Sequence, residues 1–161
     1  MKTISIFALT ALMAGSAMAQ NKNCSLEYKT GKLTWTAFKT PKKVGVTASF
    51  DKFTVKASKG NNVEDVLNGA TFEVQPNSIN SGDKARDAKI NTFFFQHGGK
   101  KVGISGKVLS VNDSSAEVSL TLNGTTTVVK MPYTYDLATR ELVLKGQINV
   151  LDFLLKDNLA A

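Results

Sequence analysis

Along most of the chain, apolar and polar residues take turns. From Val44 to Phe50, the residues Val44, Val46, Ala48 and Phe50 share one beat, and Gly45, Thr47 and Ser49 take the other. That two-residue period belongs to a strand with one buried face. Phe53 and Val55 then fall on the opposite parity, which predicts a bulge at Asp51 and Lys52 and a bent strand. The beat returns where Ala116, Val118, Leu120 and Leu122 oppose Glu117, Ser119 and Thr121. Asn123-Gly124 follows, the pair best suited to a type I′ turn, so residues 115–135 read as a hairpin. Further strands come from Leu33 and Trp35, from ATFEVQP and KKVGISGKVLSV, and from RELVLKGQINV, where Leu142, Leu144, Ile148 and Val150 share a side. Seven or eight strands at this spacing predict an all-β sandwich or barrel, and closure is the solution that leaves no open edge. Helix is expected only in NNVEDVL and, for a turn or two, in ARDAKINTFFF within the longest connection.

The first nineteen residues break this texture. MKTISIFALTALMAGSAMA has a basic start at Lys2, an apolar run through Met13, and small residues ending in Ala17-Met18-Ala19. These are the parts of a secretory leader with an A-x-A cleavage motif. Cleavage after Ala19 takes nineteen of 161 residues and leaves 142, enough for one domain over 20–161. The expectation is a protein of the periplasm or beyond, with no membrane-spanning stretch after the leader.

Charge and rare residues narrow the chemistry. The formal net charge is +7, and the basic residues are scattered rather than gathered into a stripe, which argues against nucleic acid as partner. Solubilising charge accounts for the balance, and the partner class it admits is an anionic membrane surface, where each nearby Lys or Arg adds about 1 kcal/mol. The lone Cys24 builds no disulfide framework, and nothing gives it a role. His97, the one histidine, stands beside Gly98 and Gly99 and reads as a loop residue. No zinc ligand set, nucleophile triad or phosphate loop is present, so neither metal, cofactor nor catalysis is expected. Glu64, Asp65 and Asp51 read as helix-start and turn carboxylates.

What is left over is apolar surface. Phe93, Phe94 and Phe95 are consecutive, and neither a strand nor a helix turns three neighbours to one face. The expected inward positions mix small residues, Ala37, Gly45 and Ala48, with Trp35, Phe50, Met131 and Tyr133. An eight-stranded barrel is just wide enough to be filled by side chains or to hold one small ligand, and both outcomes stay open at this point. Arg86 and Asp87 admit two roles, a local structural pair or a fork for an anionic headgroup.

SINSG at 78–82, Ala85-Arg86-Asp87 and Phe94-Phe95, in that order, resemble the signature of the YceI-like polyisoprenoid-binding family. WTAFKTPKKVGVTASFDKF, residues 35–53, is similar to its first strands, and LKGQINVLDFLL to its last strand and tail. QHGGKKVGISGKV departs from the family's usual approach to the following strand. The resemblance implies an antiparallel, lipocalin-like barrel of about eight strands, exported, holding a long isoprenoid or related lipid along its axis, with no catalytic residues. The expected lipid-contacting set is Trp35, Val46, Ala48, Phe50, Phe93, Phe94, Phe95, Val118, Leu120, Met131, Tyr133, Leu144 and Ile148, with Arg86 and Asp87 as headgroup or structural pair. The role expected is carrier or store, and self-association is compatible with it. A fatty-acyl binder, a solid-cored exported sandwich serving adhesion or stress response, and a carboxylate enzyme are the competing classes.

Overall fold

The computed structural model describes residues 4–14, 25–38 and 45–160; Cys24, the Ala17-Met18-Ala19 motif and Val44 lie outside them. Among the described residues ten strands run β1 (Ile4–Ala14), β2 (Glu27–Phe38), β3 (Gly45–Phe50), β4 (Phe53–Lys56), β5 (Thr71–Val74), β6 (Ile79–Asn80), β7 (Ile104–Val111), β8 (Ser115–Leu122), β9 (Thr125–Asp136) and β10 (Glu141–Asn149). Three short helices, α1 (Val63–Leu67), α2 (Lys84–Lys89) and α3 (Lys156–Ala160), complete the set with a few turns of 3-10 and π geometry.

All pairings are antiparallel, in the order β4-β5-β7-β8-β9-β10-β1-β2-β3-β6. The two ends of that order belong together. β3 and β4 are one strand bent at Asp51 and Lys52, and β5 and β6 track it on the far side, so joining each pair closes the sheet into an eight-membered ring. The predicted bend is thus real, and hydrogen bonds hold it. Asp51 N–H donates to the Ser78 carbonyl at 2.9 Å, Gln75 N–H to the Lys52 carbonyl at 3.0 Å, and Lys52 N–H to Ser78 Oγ at 2.9 Å. A bend takes backbone groups out of the ladder, and these bonds satisfy them.

The hairpin 115–135 forms as its sequence requires. Leu122 pairs with Thr125 across Asn123 (φ 54°) and Gly124 (φ 75°), both in the left-handed region that a type I′ turn needs. Ala116, Val118, Leu120 and Leu122 are all buried, as are Leu142, Leu144, Ile148 and Val150. One inward expectation fails: Gly45 is exposed, because Ala48 and Phe50 point inward and set the opposite parity.

The apolar run read as the heart of a leader contributes β1. It lies between β10 and β2, with Ile4 opposite Asn149 and Leu12 opposite Glu141 on one side and Leu9 opposite Leu33 on the other. Among the described residues, no helix is long and apolar enough to cross a membrane.

Candidate binding site in the barrel interior

The two halves of the barrel differ. At the end where α2 and α3 lie, aromatic and aliphatic side chains pack together in the interior. Phe50 meets Phe95 edge-on with centroids 5.8 Å apart, and Phe94 meets Phe95 likewise at 5.0 Å. Ile79, Val102, Ile104, Leu122, Phe153 and Leu155 are buried in the same apolar core.

The three phenylalanines owe their placement to a π-helical turn over Ile90–Phe95. Along it the three rings meet different surroundings: Phe95 is 4% exposed, Phe94 half-buried and Phe93 50% exposed. The carbonyls at the end of the turn find other donors. Val102 N–H donates to the Phe95 carbonyl at 2.8 Å and Asn158 Nδ2 to the Phe94 carbonyl at 2.6 Å, tying the turn to the approach to β7 and to α3.

At the opposite end the interior is hollow. A cavity of about 50 Å³ is lined by Leu9, Ala11 and Met13 of β1, Tyr28 and Leu33 of β2, Val55, Ala57, Val66, Leu67, Ala70, Thr71, Phe72, Val108, Val118, Leu120, Met131, Leu142 and Leu144. Only Tyr28 and Thr71 carry polar atoms, and burial pushes the Tyr28 phenol upward. The floor comes from α1, whose Val63, Val66 and Leu67 recur at helical spacing and are buried. Its start is fixed by reciprocal caps: Asn62 Oδ1 accepts from Asp65 N–H at 2.7 Å, and Asp65 Oδ2 accepts from Asn61 N–H at 3.0 Å.

The expected lipid-contacting residues therefore divide. Val118, Leu120, Met131 and Leu144 line the cavity. Ala48, Phe50, Phe95 and Ile148 are buried but belong to the packed core away from it. Trp35 and Val46 are half-buried and also lie off the cavity; the Trp35 indole nitrogen is buried with no hydrogen-bond partner among the described residues. Phe93, expected among the lipid-contacting residues, is 50% exposed and does not line the cavity. The residues missed, notably Val66 and Leu67 of α1 and Tyr28 and Leu33 of β2, carry local apolar periodicity, but nothing local shows which cavity they face.

Tyr133 stands beside α1 rather than in the cavity. Its hydroxyl lies 2.8 Å from Glu64 Oε1 and 2.8 Å from the Asn112 carbonyl, so two acceptors share its one proton. Burial first, and then the Glu64 carboxylate, push the phenol up to about 12. A neutral Tyr133 is what the fold holds, so its contribution to stability is full below the ordinary tyrosine value of about 10 and is lost as pH rises through about 12. A phenolate absorbance titration is expected to show this late step, and Tyr133→Phe to abolish it; persistence of the step would mean another tyrosine carries it.

Arg86 and Asp87 form no pair. Asp83, not Asp87, caps α2 by accepting from Arg86 N–H at 3.0 Å, and that backbone bond is the main reason its carboxyl sits below the usual range. Asp87 Oδ1 instead accepts from Ser81 N–H at 2.9 Å, closing the turn before the helix. The Arg86 guanidinium lies 3.6 Å from Asp83, an exposed ion pair that solvent screens. Neither residue lines the cavity. His97 stands in a 3-10 turn at His97–Gly99, and among the described residues no group of three or more His, Cys, Asp or Glu side chains could hold a metal.

The sequence matches a family model, the YceI-like domain, at residues 24–160. The chain belongs to the YceI-like family. No curated protein matches it. The matched range begins after β1, so the YceI-like match takes in seven of the ring's eight members and leaves the β1 position outside it.

Proposed function

We propose that this YceI-like protein is a non-catalytic carrier or store that holds the tail of a long-chain amphiphile, a polyisoprenoid or similar lipid, in the barrel interior and works outside the cytoplasm. The observation that carries the reading is the cavity, walled by apolar side chains from β1, β2, β4, β5, α1 and β7 to β10. Each methylene moved from water into such surroundings contributes about 0.8 kcal/mol. A tail of about twenty carbons gains on the order of 16 kcal/mol against an association cost of about 4–15, so few polar contacts are needed. The same arithmetic makes selectivity poor, since one methylene separates ligands by only about 1–3 kcal/mol. The basic surface suits collection from an anionic bilayer.

The aromatic packing of Phe50, Phe94 and Phe95 favours a second reading, an exported module that binds nothing inside. Native mass spectrometry of the protein purified from its own envelope, followed by organic extraction, separates the two. One extractable long-chain lipid per chain is the expected result. A chain that is bare, and stays bare after exposure to prenyl and acyl lipids, overturns the carrier reading.

A further inference from the structure

The connection from β6 to β7 carries Lys84, Arg86, Lys89, Lys100 and Lys101 against Asp83 and Asp87, a net +3 over residues 83–101 in a chain whose total is +7. Both carboxylates are already engaged. Asp83 caps α2 and lies beside the Arg86 guanidinium, while the half-buried Asp87 accepts from Ser81 N–H. Among the described residues Lys84, Lys89, Lys100 and Lys101 make no ion pair, and all four are exposed.

The helical run inside this connection has two unlike faces. α2 passes without a break into the π turn, so Lys84–Phe95 winds as one helix. Asp87, Ile90, Asn91, Phe94 and Phe95 recur at helical spacing and are partly or wholly buried. Ala85, Ala88, Lys89, Thr92 and Phe93 take the other side, and each is exposed. The bond from Val102 N–H to the Phe95 carbonyl brings Lys100 and Lys101 back to the end of this helix.

Leu154 adds a second apolar side chain at the same end of the barrel. It is 76% exposed, and its φ of 59° is a left-handed value that glycine usually supplies where a helix stops. It leads into α3, which Asn158 ties to the Phe94 carbonyl.

We propose that the exposed side of Lys84–Phe95, with Lys100, Lys101 and Leu154, docks the protein on an anionic phospholipid bilayer: the lysines meet headgroup phosphates and Phe93 enters the boundary with the acyl chains. Cations beside an exposed aromatic ring are the pattern of a helix that lies in a membrane interface. A polyanion in solution asks only for the charge and leaves Phe93 without a partner, and a second copy would set like charge against like. The face lies within the residues matched to the family domain, at the barrel end away from the cavity. It goes beyond the carrier reading and holds whether or not the interior takes a lipid.

The test uses protein exported with its own leader and then purified, sedimented with vesicles of phosphatidylcholine with and without phosphatidylglycerol. Binding is expected only where phosphatidylglycerol is present, and it is expected to fall as salt rises. Lys84→Gln and Lys89→Gln should each weaken it about fivefold. Phe93→Ala, at an exposed position, should weaken it by about as much. Lys56→Gln removes the same charge from the α1 end, where Lys56 pairs with Thr71, and should leave binding unchanged. Phe93→Trp should lose fluorescence on vesicles with brominated acyl chains, and the parent, whose one tryptophan is Trp35 in β2, should not. Chains that ignore phosphatidylglycerol, or that respond equally to Lys56→Gln and Lys89→Gln, overturn the docking face. Binding untouched by Phe93→Ala, with the Phe93→Trp chain unquenched, overturns the bilayer as its partner and points to an anionic polymer or an acidic protein.

Discussion

Replacing Phe95 by alanine is expected to cost about 3–5 kcal/mol of folding stability, while Phe93→Ala stays within about 0.5 kcal/mol. The difference follows from placement on one turn. Phe95 is 4% exposed and packs edge-on against both Phe50 and Phe94, so its removal leaves a hole that rigid neighbours fill poorly. Phe93, half in solvent, gives up little. Phe94 should fall between them, because it is half-buried and shares the edge contact. Urea denaturation of the three variants checks the order; a Phe93 variant as damaged as the Phe95 one would mean the turn lies with another face inward.

Leu142→Ala is expected to lower stability by about 2–5 kcal/mol and to enlarge the cavity it lines. Leu142 is wholly buried at the start of β10 and sits on the cavity wall, so the lost methylenes add to existing space. An apolar void of this kind stays dry and accepts small apolar guests. Benzene or xenon should therefore raise the thermal midpoint of the variant more than that of the parent chain. A stability loss with no guest effect would show that the neighbours collapse into the space instead.

Much of this architecture is legible in the order of residues because a strand's period is short and local. The bend at Asp51 and Lys52 shows as a slip of parity, the Asn123-Gly124 turn as a dipeptide, and α1 as an apolar beat of three and four around Val63, Val66 and Leu67. The cavity is not legible in that way. Its lining joins Met13 to Leu142 and Val66 to Val118, pairs whose distance in sequence hides that they share a space. Three consecutive rings likewise give no hint of a π turn, whose last carbonyls are bonded by Asn158 and Val102 from outside it. The opening run shows a related limit: a mostly apolar stretch suits a leader and a buried strand equally, and its pairing with β2 and β10 shows only in three dimensions.

The pairing of Ile4 with Asn149 also sets a timetable. The ring's seam joins the chain's first strand to its last, so it cannot form until nearly the whole polypeptide has been made, and its loop-closure cost is the largest in the sheet. Throughout synthesis the opening segment has no folded partner on its β10 side.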